Sequence, residues 1–342
     1  MPEIDAVPEL SVILPTDTDY SSLRRTVAAL NRQTARHRIE LVIIAPNDHP
    51  GVIHSDLSSF ARVQIVNGGP VTTSNAARAL GIRVATAPIV ALSEDHSYPD
   101  PEWAAALIAA HDGTWAAVSP AIRNANPHSL QSWANIILEY DPWFEGIGSR
   151  GEVDEVPGHN SSYRRDLLLA YGDRLPKVLE VESVLQRELK QAGHRLFHEP
   201  AAVTSHLNFS LFAPSLMLRF NAGRAFAGYR KTGWSPGTRV KYILGAPLIP
   251  FVRLVRISGM LRRSAQYSYL LPRLLPRLCV NLFLDGLGEL VGYIAGPGRS
   301  EFVLGEIEFR RERFIREADI HELDSHHAAK NEQLSDLAAI AV

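Results

Sequence analysis

VALSEDHSYPDPEW, residues 90–103, is the stretch on which the reading of this chain turns. The apolar run Ile89, Val90, Ala91 and Leu92 reads as a buried strand. It stops against Glu94, Asp95 and His96, and a proline-rich segment suited to starting a helix follows. A strand leaving the core into a solvated turn would look the same. So would a metal and phosphate site at the carboxyl edge of a parallel sheet, where ligands of open α/β sheets gather. Successive side chains of extended backbone point oppositely, which puts Glu94 and His96 on one side and leaves Asp95 to hold the loop.

Around this stretch, Ser11 to Leu14, Leu41 to Ala45, Val63 to Val66 and Trp115 to Val118 read as further short buried strands. Helical patterns lie between several of them. In SSLRRTVAALNRQT, Leu23, Val27 and Leu30 recur at i, i+4 and i+7, and Ser21 or Ser22 can cap the start. NAARALGIRVATA and PEWAAALIAAH behave likewise. Strands alternating with helices predict an α/β fold with a mostly parallel sheet covered on both faces. Past Pro120 the pattern loosens, then tightens at PGHNSSYRRDLLLAYG, residues 157–172. LEVESVLQRELKQAGHRL, residues 179–196, predicts a helix with Val181, Val184, Leu185 and Leu189 on its apolar face and Gly193 at its carboxyl end. FHEPAAVTSHLN closes this part with a strand and His206. Trp103, Trp115, Trp133 and Trp143 fit core or acceptor-stacking roles better than a cofactor box.

The chain has 342 residues and 46% hydrophobic content, enough for one large domain with an appendage. Its one cysteine, Cys279, excludes an internal disulfide, and the start MPEIDAVPELS has neither a basic cluster nor an apolar signal core, so the expected place is the cytosol or its side of a membrane. Residues 211–300 carry thirteen Lys and Arg against Asp285 and Glu289, or +11, which leaves −13 elsewhere in a chain of net charge −2. Because the same stretch is rich in Leu, Ile, Val, Tyr and Phe, it suits an anionic membrane surface and not nucleic acid. Prolines and charges interrupt its apolar runs, so neither offers the roughly 20 uncharged residues of an ordinary spanning helix. In-plane amphipathic helices or a short re-entrant pair are expected, against an extra helical layer or a dimer interface. From Glu301 onward the chain turns charged and acidic, a helix and tail without evident chemistry.

LSVILPTDTDYSSLRRTVAALNRQTARHRIELVII, residues 10–44, resembles the opening of family 2 glycosyltransferases: a strand ending in Pro-Thr, a helix ending in Gln-Thr, then Glu and a second strand. ARALGIRVATAPIVAL resembles the family's segment before its metal motif, Glu94-Asp95-His96 aligns with its Asp-x-Asp, and GHNSSYRRDLL is similar to its acceptor-side segment. The resemblance spans about the first 210 residues. Departures are specific: Ala45 replaces the base-contacting Asp, Ala79 replaces an Asn, His96 replaces the second Asp, and Val181-Glu182 replaces a Glu-Asp pair.

The resemblance implies a GT-A type fold over residues 1–210, followed by a basic amphipathic helical region, 211–300, and a charged helix and tail, 301–342. It implies donor contacts at Pro15, Thr16, Asp17, Asp19, Asn47, Asp48, Arg78 and Asp95, with Asp17 and Asp19 equally readable as helix-capping turn residues. A divalent metal, Mn or Mg, is expected at Glu94, His96 and His206; His96 can ligate through a neutral ring nitrogen or donate to phosphate. Glu182 stands where the family places its base, with Glu180 the nearest substitute, and His159, Asn160 and Ser161 are expected on the acceptor side. The expected activity is inverting transfer of one sugar from a nucleotide-sugar donor to a lipid-linked or polymer-bound glycan, at the cytoplasmic face of a bacterial-type membrane. Alternatives are a degenerate nucleotide-sugar-binding scaffold and a nucleotide-sugar hydrolase. The oligomeric state stays open.

Overall fold

The structure, a computed structural model, describes residues 7–47, 51, 54–69, 74–180 and 182–325. Nine strands form one sheet: β1 (Leu10–Pro15), β2 (Ile39–Ala45), β3 (Arg62–Asn67), β4 (Ile89–Leu92), β5 (Ser97–Pro99), β6 (Trp115–Asn124), β7 (Gly151–Val153), β8 (Ser162–Arg164) and β9 (Arg195–His206). Their order is β3-β2-β1-β4-β8-β6-β9-β5, and β7 also pairs with β9. β3, β2, β1 and β4 run parallel, as do β6 and β9. β8 runs antiparallel between β4 and β6, and β5 and β7 are antiparallel to β9. The predicted parallel pattern therefore holds for the first four strands in sequence that pair through helical crossovers. The antiparallel strands have three residues each, too few to leave an alternation in the sequence.

β1, β2 and β4 are buried along their whole length, and that is why they read as continuous apolar runs instead of alternating ones. On one face, Leu10, Val12 and Leu14 pack with Leu23, Val27 and Leu30 of α1 (Tyr20–Asn31) and with Trp103 and Leu107 of α4 (Trp103–Ala110). A short α2 (His54–Leu57) lies between β2 and β3 in the chain. On the other face, Ile13, Val42 and Val90 pack with Ile82 of α3 (Ser74–Val84), Val178 of α7 (Leu175–Leu179) and Leu185 and Leu189 of α8 (Glu182–Gln191). Gly193, with φ +86°, ends α8 as the sequence predicts. Two further helices complete this part: α5 (Leu130–Tyr140) and α6 (Arg165–Leu169).

The basic region folds as α9 (Phe212–Arg230), α10 (Pro236–Gly245), α11 (Ile249–Arg263) and α12 (Leu271–Ala295), and α13 (Ser300–Phe309) follows. α12 crosses α9 at backbone distance: a Cβ at Gly223 would run into the Asp285 carbonyl oxygen, and one at Gly288 into that of Phe220. Part of the positive charge is paired. Arg219 pairs with Glu139 and Arg256 with Asp141, which ties the helices to α5 and its end, and Arg253 pairs with Asp285 of α12. An apolar stripe stays outside. Val240, Leu244, Leu248, Phe251, Val252 and Val255 are 53–74% exposed along α10 and α11, at spacings that place them in one stripe.

Pro236–Arg263 and Ser268–Ala295 are each long and apolar enough to cross a membrane by length and composition, with 11% and 50% of their most apolar parts buried. These helical stretches are longer than the interrupted sequence implies. Prolines at the first turn of α11 and α12 need no backbone donor there, and Pro276 lies inside α12.

Candidate functional site

Glu94 leaves the carboxyl edge of the sheet two residues after β4, and the chain returns at once to pair with β9 as β5. That pairing sets Ser97 opposite His206, and Leu207 N donates to the His96 carbonyl at 3.0 Å. Residues 110 positions apart in sequence are thereby brought together: the His96 and His206 rings meet edge-on with centroids 4.8 Å apart. Glu94, His96 and His206 are all buried, and one ligand atom from each lies within 4.8 Å of the others. The three residues that the sequence nominates for a metal are one cluster.

Their hydrogen bonds show what the cluster can do. His96 Nδ1 lies 2.7 Å from Asp95 Oδ1, and His206 Nδ1 lies 2.8 Å from Asn208 Oδ1. Asn208 Nδ2 is committed to the Asn124 side chain and the His206 carbonyl, which fixes Oδ1 as the atom facing the ring. With both Nδ1 atoms bound to acceptors, both Nε2 atoms present lone pairs. Each sits 3.5 Å from the same Glu94 oxygen, Oε2. Burial and the nearby Arg311 guanidinium push the His96 imidazole down to about 3, so it does not supply a proton, and its Nε2 has no hydrogen-bond partner. Two lone pairs aimed at one carboxylate oxygen are unfavourable without a cation between them, and a divalent ion takes this N,N,O set.

Asp95 fixes the His96 ring through this Nδ1 contact. Burial pushes its carboxyl up to about 7. A cation on Nε2 would draw that proton off and strengthen the Nδ1–H donation.

The other Glu94 oxygen faces a second set. Arg78 of α3 approaches Oε1 at 3.5 Å and His159 Nδ1 at 2.5 Å. Arg78 donates, so His159 accepts at Nδ1 and carries its proton on Nε2, which points toward Glu182 Oε1 at 3.7 Å. Arg78 is thus a bridge between the carboxylate and the acceptor-side histidine. Asn160 donates from Nδ2 to Glu94 Oε2 at 2.9 Å from a left-handed backbone, φ +66°, a strained position of the kind found at binding sites. Ser161 is fully buried and donates to the Pro157 carbonyl at 2.6 Å. Of the three predicted acceptor-side residues, His159 lines the cavity, Asn160 supports Glu94 and Ser161 braces the loop.

Glu182, in the first turn of α8, and Glu180 line one cavity of about 560 Å³ together with Glu94, His159, His206 and Trp143. A side chain at Gly158 would occupy the space of the Glu182 carboxylate, so glycine is required for Glu182 to reach the cavity. Burial raises the Glu180 carboxyl, and Glu301 adds to the shift.

A second cavity, about 1110 Å³, lies on the other side of His96 and is lined by Asp17, Ser22, Arg25, Asp56 and Asp95. Here the two aspartates after β1 separate. Asp17 lines the cavity, its carboxyl raised by burial, whereas Asp19 caps α1 by accepting from Ser21 N at 2.8 Å. Pro15 and Thr16 are buried, Thr16 Oγ1 meeting Ser22 Oγ at 3.0 Å. Asn47 is exposed, and Asp48 lies outside the described residues.

Residues after Glu301, read from the sequence as a charged helix and tail without evident chemistry, reach the cluster. Glu308 of α13 sits with Oε1 3.3 Å from His96 Nε2, and Arg311 is 8% exposed and lines both cavities. Read locally, EIEFRRERF is a solvated charged helix; nothing in it signals a return of more than 200 residues to the sheet edge.

No curated protein sequence matches the chain. Among solved structures it is similar to S. aureus TarS 1–349 in complex with UDP, at 13% identity over 82% of this chain and 90% of that one, TM-score 0.44. It is similar too to the mannosyltransferase PcManGT from Pyrobaculum calidifontis in complex with GDP-Man and Mn2+, at 16% identity over 83% and 87%, TM-score 0.48. Residues 11–172 match the family profile described as glycosyl transferase family 2, a span that runs from β1 through the Glu94 cluster to the His159 loop. That matched span is just under half of the chain.

Proposed function

We propose that this protein is a metal-dependent, inverting glycosyltransferase that moves one sugar from a nucleotide-sugar donor to a lipid-linked or polymer-bound glycan at the inner face of a membrane. The observation that carries the proposal is the pair of histidine Nε2 atoms turned onto one oxygen of Glu94 between two cavities. Glu94, His96 and His206 would hold Mn or Mg, which supplies neutralising charge for the leaving diphosphate. The larger cavity, with Asp17 and Asp95, suits the donor nucleotide, and the smaller one suits the acceptor.

Glu182 takes the proton of the acceptor hydroxyl, the acceptor oxygen bonds to the anomeric carbon from the face opposite the diphosphate, and the diphosphate leaves with the electrons of its bond. His159 Nε2 lies 3.7 Å from Glu182 Oε1, and Glu180 is the substitute base on the same wall. Glu182 also weighs against a mere scaffold, which has no use for a carboxylate aimed into a cleft.

The exposed apolar stripe of α10 and α11, flanked by exposed Lys241, Arg262, Arg263 and Arg273, supports an in-plane membrane contact. Residues 1–210 would then be the transferase domain, 211–300 the membrane-associating region and 301–342 a charged extension. Lipid contact suits the apolar side of the acceptor cavity, where Phe226, Tyr229 and Leu218 of α9 line the wall. A thermal-shift screen of nucleotide sugars, with Mn2+ and with chelator, tests the reading, because a ligand that binds only the folded state raises apparent stability. A shift that needs both a nucleotide sugar and the metal supports it; no shift with any donor refutes it.

A further inference from the structure

The wall between the two cavities is made by a segment far in sequence from the residues that match the family 2 profile. α13 and the turn after it, Arg311–Phe314, bring Glu308 and Arg311 against the Glu94 cluster. Arg311 is held from behind: Nη1 donates to the Leu207 carbonyl at 2.8 Å, and the guanidinium lies 4.2 Å over the Phe209 ring. Its front is given to Glu308, whose two oxygens accept from Nη2 at 2.7 and 2.6 Å. Arg311 Nε is buried without a partner, as is His96 Nε2 beside it. Both Glu308 oxygens thus share one nitrogen, and the neighbouring Nε is left open; a phosphate presents two oxygens that can take both nitrogens of that edge. Glu308 is 30% exposed on its side chain, while that of Arg311 is 9% exposed. The anion can therefore leave and the cation cannot.

We infer that Arg311 is a ligand of the donor's diphosphate and that Glu308 is an internal anion holding its place until the diphosphate arrives. The inference rests on the proposed function only in taking a diphosphate as the ligand of this site. When the diphosphate binds, its oxygens take Nη2 from Glu308 and engage the open Nε, and Glu308 moves toward solvent. The chain thus carries a competitor for its own substrate, and the competitor sits in a segment outside residues 11–172.

Calorimetry on the full chain with Mn2+ and inorganic pyrophosphate, repeated with UDP and with GDP, tests this. Glu308→Gln removes the competing charge and keeps Arg311, so pyrophosphate and the bound nucleoside diphosphate are expected to bind on the order of tenfold tighter. Arg311→Lys keeps the charge and loses the fork, and affinity is expected to fall on the order of tenfold. Thermal unfolding of both variants checks that they fold, and Glu308→Gln leaves the Leu207 and Phe209 contacts untouched. Weaker or unchanged binding by Glu308→Gln overturns the inference, whatever Arg311→Lys does. The expected pattern in a protein that transfers no sugar would sink the transferase reading and leave the inference standing. Sugar transfer with pyrophosphate affinity unaffected in the variants would do the reverse, and a wild type that binds no diphosphate would sink both.

Discussion

Glu40 and Glu94 are buried carboxylates on one sheet, placed at opposite ends of it, and their surroundings differ in kind. Glu40, near the amino end of β2, is surrounded by donors: Gln64 Nε2 at 2.7 Å, Thr86 N at 2.6 Å, Thr86 Oγ1 at 2.8 Å and the Ser11 hydroxyl, with Arg62 at 3.5 Å. Burial raises its carboxyl, yet these bonds outweigh burial and hold it below the usual range. Glu94, past the carboxyl end of β4, has Asn160 and Ser97 as donors but shares one oxygen with two imidazole lone pairs. Glu94 is also satisfied, with Arg78 at 3.5 Å, but the His96 Nε2 beside it is buried without a partner, and a buried group left unpartnered marks a place kept for something else.

If that contrast is sound, substitutions at the two glutamates separate function from stability. Glu94→Ala combined with His206→Ala is expected to lower turnover on the order of a thousandfold or more, since loss of the cation leaves the diphosphate charge uncompensated. Its unfolding midpoint should stay near that of the wild type, and a large fall in denaturation midpoint would mean that Glu94 is structural like Glu40. Glu40→Ala should do the opposite. It strands several buried donors and is expected to cost about 3 kcal/mol in urea unfolding, with the folded fraction still binding metal and diphosphate.

pH sharpens the same contrast. The folded Glu40 carboxyl is depressed below its ordinary 4.5, so its contribution is fully present above that value and is lost as pH falls through the folded one. Acid unfolding of Glu40→Gln should accordingly be less steep below pH 4.5 than that of the wild type, measured by circular dichroism. Equal slopes would remove Glu40 from the stabilising network.

Glu182→Gln probes the far side of the Glu94 site. It keeps shape and removes the proton acceptor, so turnover is expected to fall on the order of a hundredfold while donor affinity barely changes. Unchanged turnover would move the base to Glu180. A smaller effect is expected from the helices: the full chain should sediment with anionic liposomes and be partly released by salt, because the Debye length falls from about 10 Å at 0.1 M to about 3 Å at 1 M. Indifference to liposomes would make α10 and α11 a protein interface instead.

How far these regions can be read from the sequence follows from their packing. β1, β2 and β4 announce themselves because both faces are covered, and Glu94 and His96 fall on one side because the chain there is extended. α5 does not. Gln131, Ser132 and Asn135 are buried along with Trp133, Ile136 and Ile137, so LQSWANIILEY puts into the interior polar residues that its pattern would place outside. His206 is legible only through the family resemblance, since the β5–β9 register that brings it to His96 spans 110 residues. Glu308 and Arg311 are invisible for a similar reason: a charged helix reads as solvated until its tertiary partner is known. The +11 excess is legible as charge but not as location, because Arg219 and Arg253 turn inward to Glu139 and Asp285.

The central claim is that Glu94, His96 and His206 hold a divalent cation for a diphosphate. Pulsed EPR of Mn2+ bound with UDP or GDP reads it most directly, since imidazole nitrogens on the metal are visible as couplings. Two such nitrogens are expected in the wild type and one in His206→Ala, with binding of the nucleotide lost on adding chelator. Nucleotide affinity that ignores chelator in both the wild type and the Glu94→Ala, His96→Ala double variant, with no nitrogen coupling, would contradict the account.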